Sequence, residues 1–191
     1  MAILVFGLIV FLGVHSAQIV RPGMRERVIQ KGGSVGAWKW PYTGLASIGL
    51  LLVILGYGLA RHEPTVVYVP PMGLRHVALL LMLPVFPLLF ATYFKGRIRD
   101  RVGHPMLLAT VLWAIAHLLA NGGLADVILF GSFLVWALAD WWSVLRRTSE
   151  QQRVRSARWG RNDAISVVAG LAVYGLFVAG LHRWLFGVSP I

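Results

Sequence analysis

Long apolar runs separated by short polar stretches dominate the chain. Six of these runs are long enough, at 1.5 Å per helical residue, to cross most of a hydrocarbon layer of about 30 Å. They cover residues 2–20, 42–60, 76–94, 104–120, 124–145 and 164–186. The pattern therefore predicts an all-α fold, a polytopic bundle of six transmembrane helices that forms a single domain over residues 1–191.

Two features within the runs predict irregular backbone. The fourth and fifth runs are separated only by Asn121, Gly122 and Gly123, which predicts a tight helical hairpin and leaves open that its turn lies below the membrane surface. The third run contains Pro84 and Pro87, and we expect these prolines to kink or unwind it near its middle.

Composition agrees with a membrane protein and excludes several kinds of site. The 191 residues are 58% hydrophobic and only 13% charged, which is typical of proteins that lie in lipid. The chain has no cysteine, so disulfides, thiolate metal sites and a cysteine nucleophile are excluded. The first run lacks the basic start and the cleavage site of a signal peptide, and we interpret it as a retained helix.

The basic residues orient the predicted bundle. The first loop carries five, the third four and the fifth, Arg146–Arg161, six, which together are fifteen of the eighteen lysines and arginines. The positive-inside rule then places these loops in the cytoplasm and both termini on the outer face of the membrane. The net charge of +11 is divided among these loops, so the predicted partner is the lipid bilayer and not nucleic acid.

Two histidines lie within apolar runs, where an ionisable side chain costs about 2.5–3.5 kcal/mol. They are His15 and His117, and neither has a charged neighbour within one helical turn. One interpretation makes them hydrogen-bond partners between helices, each worth about 1 kcal/mol. The other makes them the two axial ligands of a haem, because neutral imidazole suits iron.

The other histidines have simpler explanations. His62 lies in a loop, and His76 and His182 lie at outer helix ends where water reaches them, so we assign these three no function. His104 precedes Pro105, and this pair is explained as the cap and the first residue of the fourth helix.

Three further residues accompany the predicted haem ligands. Trp113 and Asn121 share a helix face with His117 and are candidate supporting residues of the site. His104 remains an alternative ligand.

Several segments resemble the NnrU family, and the resemblance extends over nearly the whole chain. The segments that resemble it are Gly13–Ser16, Leu74–His76, Leu81–Pro84, Gly103–Gly122 and Trp159–Asp163. The resemblance implies a link to nitrite and nitric oxide reduction in denitrifying bacteria. It also implies a relation to zeta-carotene isomerase, a membrane enzyme with b-type haem whose ligands correspond to His15 and His117. An alternative cysteine ligand of the isomerase corresponds to Ala114, so any ligand exchange that uses that cysteine is absent here.

Depth estimates give an argument against this ligand pair. His15 lies six residues from Arg21, whereas His117 lies sixteen residues from Arg101. At 1.5 Å per residue the two histidines differ in height by about 15 Å. Tilted helices or a buried turn at residues 121–123 are then needed to bring both to one haem.

Two other functions remain open from the sequence. A non-catalytic assembly or stability factor for a respiratory nitric oxide reductase would bind subunits of that enzyme and needs no site of its own. An S-adenosylmethionine-dependent membrane methyltransferase also has a His-Pro pair at the start of a helix. Here, however, Gly103 replaces the arginine that precedes the pair, and Glu150 lacks the tyrosine-containing pattern that follows.

Overall fold

In the computed structural model, which describes residues 1–21, 23–32, 34–62, 64–147 and 158–190, the chain is built from helices joined by short loops. The helices are α1 Ala2–His15, α2 Ala17–Val20, α3 Met24–Gly32, α4 Gly36–Ala60, α5 Leu74–Met82, α6 Val85–Tyr93, α7 Arg97–Val102, α8 Pro105–Ala120, α9 Leu124–Arg147, α10 Arg161–Leu176 and α11 His182–Phe186. A π-helical turn, Phe177–Leu181, joins the last two helices. Residues 148–157, which form most of the last basic loop, lie outside the described residues.

Four helical segments are long and apolar enough to cross a membrane. They are Gly36–Ala60, Leu74–Tyr93, Leu124–Arg146 and Arg161–Phe186. The other two predicted spans are shorter apolar helices, Ala2–His15 and Pro105–Ala120. With 14 and 16 residues, they extend only about 21 and 24 Å.

Local backbone features mark the places where these two helices end. A turn at Ser16 separates α1 from α2, and the Ser16 hydroxyl donates a 2.7 Å hydrogen bond to the Leu12 carbonyl. Asn121, which ends α8, has an extended backbone with φ −132° and ψ 131°. The asparagine and glycines of the hairpin have low helix propensity, so the chain turns there.

The prolines of the third run break its helix at the predicted place. The α5 helix ends at Met82 and α6 begins at Val85, with Pro84 between them. In contrast, Pro41 lies within α4, which begins at Gly36 and not at residue 42 as predicted. The basic third loop is also partly helical, since α7 begins at Arg97.

Glycines allow α1 and α4 to pack closely. A Cβ atom on Gly7 would lie 2.6 Å from the backbone nitrogen of Val53, and one on Gly49 would lie 2.7 Å from that of Phe11. A Cβ on Gly56 would overlap the backbone of Leu4. Small residues at helix contacts are typical of membrane bundles, where close backbone approach supplies the packing energy.

These contacts also fix the direction of α1. Leu4 lies beside Gly56 and Phe11 beside Gly49, so the two helices run antiparallel and the N-terminus lies near Ala60. We call the end of the bundle that carries Ala60 and the 121–123 turn the hairpin end.

An extended segment, residues 65–68, covers the turn between α8 and α9. The Gly122 carbonyl accepts hydrogen bonds from the backbone nitrogens of Val67 and Tyr68, at 2.9 and 3.1 Å. The Thr65 carbonyl accepts one of 2.7 Å from the nitrogen of Leu124. The polar groups of the turn therefore have protein partners, as backbone below a membrane surface requires.

At the opposite end, Asp163 attaches the start of α10 to the rest of the bundle. Its carboxylate is 1% exposed and accepts hydrogen bonds from the backbone nitrogens of Gly160 and Ile98, at 3.1 and 2.9 Å. Asn162 adds a 2.7 Å hydrogen bond to the Lys95 carbonyl. Further along, α10 packs on α6 so closely that a Cβ on Gly170 would overlap the backbone of Pro87.

Candidate functional site

His117 lies in the last turn of α8 and faces α9. Its Nδ1 atom is 2.8 Å from the Trp113 carbonyl, and a carbonyl only accepts, so Nδ1 carries the proton and Nε2 carries the lone pair. The ring of Phe130 stacks on the imidazole with centroids 4.5 Å apart. Asn121 donates a 2.9 Å hydrogen bond to the His117 carbonyl. Trp113 and Asn121, the predicted supporting residues, thus both contact His117.

His15 lies at the end of α1 in a second aromatic cluster. Its Nδ1 atom is 2.7 Å from the Phe11 carbonyl, so its Nε2 also carries the lone pair. The imidazole lies 5.5 Å from the ring of Tyr42 and 6.0 Å from that of Trp136. The indole Nε1 of Trp136 is buried and has no hydrogen-bond partner among the described residues, which is uncommon for a buried donor.

The contacts with α9 place the two predicted ligands at different depths. His117 lies against Phe130 and His15 lies near Trp136, six residues further along that helix, or about 9 Å. Aromatic rings fill the space between the two clusters, because Phe133 lies 5.7 Å from Phe11 and 5.4 Å from Trp113. Along these ring contacts, the side chains of Phe11, Phe133 and Trp113 lie between His15 and His117.

A different histidine lies close to His117. The imidazole of His182, the first residue of α11, has its centroid 6.5 Å from that of His117, with an angle of 30° between the rings. The Nδ1 atom of His182 is 2.8 Å from the Val188 carbonyl, so this ring also has its lone pair on Nε2. Both imidazoles are partly buried.

A hydrogen-bonded polar group lies at the same end of the bundle. The Tyr57 hydroxyl donates a 2.5 Å hydrogen bond to Oδ1 of Asp126, and the Gly123 nitrogen donates one of 3.0 Å to Oδ2. Arg61 lies with its guanidinium 5.6 Å from the centre of the Tyr57 ring and donates to the Phe186 carbonyl at 3.2 Å. This group connects α4, α9 and the end of α11.

Tyr68 extends this polar group onto the covering segment. Its hydroxyl donates to the carbonyl of Leu118 and, at 2.8 Å, to that of Asn121. Burial and then the negative charge of Asp126 raise the pKa of the Tyr68 phenol above its ordinary value. The hydroxyl therefore stays protonated and continues to donate at neutral pH.

His104, the alternative ligand, occupies the N-cap position of α8, and Pro105 is the first residue of the helix. Because thirteen residues separate it from His117, the two lie about 20 Å apart along the helix axis. Among the described residues, no group of three or more histidine, aspartate or glutamate side chains has a geometry that fits a metal ion.

A family model described as NnrU protein matches residues 3–190, and so covers every histidine of the chain. The chain belongs to the NnrU family. Comparison with curated proteins gave no match, and comparison with solved structures gave none either. The predicted family is therefore confirmed.

His182 was not predicted to be a site residue, although its distance from the end of its helix resembles that of His117. His117 lies three residues before the end of α8 and His182 lies four before the end of α11. Both helices end at the hairpin end, because Phe186 accepts a hydrogen bond from Arg61 there. Counting from the ends of the apolar runs would thus have placed the two histidines at one depth.

Proposed function

We propose that this NnrU-family chain is a haem-binding membrane protein in which His117 supplies an axial ligand to b-type haem. The supporting observation is the fixed imidazole. Its Nδ1 proton is donated to the Trp113 carbonyl at 2.8 Å, which leaves the Nε2 lone pair for a metal, and second-shell bonds of this kind orient histidine ligands in metalloproteins. The surrounding rings of Trp113 and Phe130 supply the apolar lining that a porphyrin needs.

The chain's own residues fit haem better than a bare metal ion. Structural metal sites built by protein alone use about four ligands, and the described residues provide no cluster of three. Haem brings four nitrogen donors of its own, so one or two imidazoles complete its coordination. When bound, it would supply one-electron or nitric oxide chemistry, in agreement with the link to nitrite and nitric oxide reduction that the family resemblance implies.

His15 is the second axial ligand that the family resemblance implies. Its Nε2 also carries a lone pair, because Nδ1 donates to the Phe11 carbonyl. The buried Trp136 Nε1, which has no partner in the described part of the chain, is a donor that a bound polar group could satisfy. These two observations support a polar ligand beside His15. However, His15 and His117 contact α9 at positions six residues apart, which argues against one iron shared by both.

We also propose that the chain crosses a bacterial inner membrane six times, with both termini in the periplasm. The four long segments support four crossings. The covered hairpin supports a crossing by α8, because its turn has protein hydrogen bonds and need not reach water. The close packing of α1 along α4 supports a crossing by α1 together with α2.

Absorption spectroscopy tests the haem proposal. Protein purified in detergent from haem-replete cells should show the Soret and α/β bands of b-type haem, and His117→Ala should lose the haem or convert it to a high-spin form. His62→Ala is a matched control, since His62 is exposed and lies in a loop. A colourless, monodisperse wild-type protein would contradict the proposal and favour the assembly factor for nitric oxide reductase, which co-purification with its subunits would then detect.

A further inference from the structure

We infer that His182, and not His15, is the second axial ligand, so that one haem iron is bound between α8 and α11 at the hairpin end. The inference rests on the proposed haem function and names a residue that neither the sequence pattern nor the family resemblance selects. Four observations carry it: the ring spacing, the tautomer of the two imidazoles, the depth of the two residues and the irregular backbone before His182.

The spacing of the two rings matches two imidazoles on opposite faces of one metal. With a metal–nitrogen bond of about 2 Å and about 1 Å from the nitrogen to the ring centre, two such rings have centroids roughly 6 Å apart. The centroids of His117 and His182 are 6.5 Å apart. The distance between the ring centres is therefore close to the one that a shared iron requires.

Both imidazoles have the same tautomer for the same reason. In each, Nδ1 lies 2.8 Å from a backbone carbonyl, that of Trp113 for His117 and that of Val188 for His182. The proton is therefore on Nδ1, and the nitrogen farther along the ring is the one able to bind a metal. Haem ligands are fixed in this way by hydrogen bonds from the nitrogen that does not bind the metal.

The backbone before His182 departs from a regular helix. The π-helical turn Phe177–Leu181 contains a kink at Gly180, with φ 166° and ψ −19°. A kink of this kind changes the direction of the side chains that follow relative to an unbroken helix. The direction of the His182 side chain is thus set by this kink.

Depth separates His182 from His15 as a partner. His117 and His182 lie three and four residues from the helix ends at the hairpin end, or about 5–6 Å. His15 lies thirteen residues from Ala2, the residue at which α1 begins at that end, or about 20 Å. Two ligands of one iron need similar depths, which the pair of His117 and His182 has and the pair of His117 and His15 does not.

Spectra of matched variants test the inference. In haem-loaded protein, His182→Ala should convert the low-spin spectrum of bis-imidazole haem to a high-spin one, and added imidazole should restore the low-spin bands. His15→Ala should keep the wild-type low-spin spectrum. His182→Met keeps a ligating side chain and should raise the reduction potential, as methionine does when it replaces an axial histidine, whereas His15→Met should leave the potential unchanged.

The outcomes distinguish this inference from the haem proposal. A His15→Ala protein that becomes high-spin, beside a low-spin His182→Ala protein, would overturn the inference and leave haem binding intact. A colourless wild-type protein would overturn both. If His182→Ala does not fold, the potential of His182→Met decides, because an unchanged potential would show that residue 182 does not bind the iron.

Discussion

The hydroxyl of Tyr57 donates a hydrogen bond of 2.5 Å to the Oδ1 atom of Asp126 and so joins α4 to the start of α9. The carboxylate accepts a second hydrogen bond, from the Gly123 nitrogen at 3.0 Å. Carboxylates at helix N-termini complement the helix dipole, which the sequence alone suggests for Asp126. The contact with Tyr57, sixty-nine residues earlier, depends on the packing of two distant helices.

We expect Tyr57→Phe to destabilise the protein by about 1 kcal/mol, because it removes one interhelical hydrogen bond in the membrane without a change of shape. The free energy of unfolding in mixed micelles measures the change. Tyr93→Phe is the control, since the Tyr93 side chain is 75% exposed. Equal stability of the two variants would show that the bond to Asp126 contributes nothing measurable.

The close approach of α1 and α4 predicts a steep response to one added methyl group. Gly56→Ala places a Cβ against the backbone of Leu4, so the helices must separate, at a cost of about 1–3 kcal/mol. Gly58→Ala is the matched control on the same helix, because nothing lies within 4 Å of its Cβ. Thermal unfolding should show a lower midpoint for Gly56→Ala and, because alanine favours helix, an equal or higher one for Gly58→Ala.

Hydropathy was enough to predict the helical class and the approximate position of the apolar helices, because a helix in lipid requires a long continuous run of apolar residues. The break at Pro84 follows equally from sequence, since proline removes a backbone donor. The early end of α1 does not follow from the apolar pattern, because the turn at Ser16 and its hydrogen bond to the Leu12 carbonyl lie within an apolar run. For that reason length alone indicates four spanning segments where hydropathy predicts six.

The candidate site was only half predictable. Burial in an apolar run singles out His117, and its contacts with Trp113 and Asn121 follow from helical spacing. The proximity of His182 depends on the π-helical turn before it, and an irregular turn leaves no periodic signal in the sequence. Pairing residues sixty-five positions apart required the packed helices.

Reporter fusions test the proposed topology. A cytoplasmic reporter fused after Gly160 should be active and one fused after Ile191 inactive, because fifteen of the eighteen basic residues lie in the predicted cytoplasmic loops. A periplasmic reporter should give the opposite pattern at both sites. Activity of the cytoplasmic reporter at both positions would mean that the last helix does not span the membrane, and it would contradict the six crossings.

Tyr68 holds the covering segment on the turn between α8 and α9. Tyr68→Phe removes the two hydrogen bonds from its hydroxyl to the carbonyls of Leu118 and Asn121. We expect faster hydrogen exchange of the backbone amides in residues 118–124, because opening of the turn then breaks fewer bonds. Tyr93→Phe is again the control, and exchange rates equal to its rates would contradict the prediction.

The same bond gives a pH dependence with a defined sign. The pKa of Tyr68 is raised in the folded protein by burial and by the charge of Asp126, so the phenol holds its proton more firmly when folded than when unfolded. Its contribution to stability is therefore complete below the unfolded pKa of about 10 and is lost as the pH rises through the folded pKa. The ratio of the exchange rates of Tyr68→Phe and wild type should accordingly be constant around neutral pH and approach one only in strongly alkaline solution. A ratio that already falls toward one near neutral pH would mean that the hydroxyl does not hold the turn.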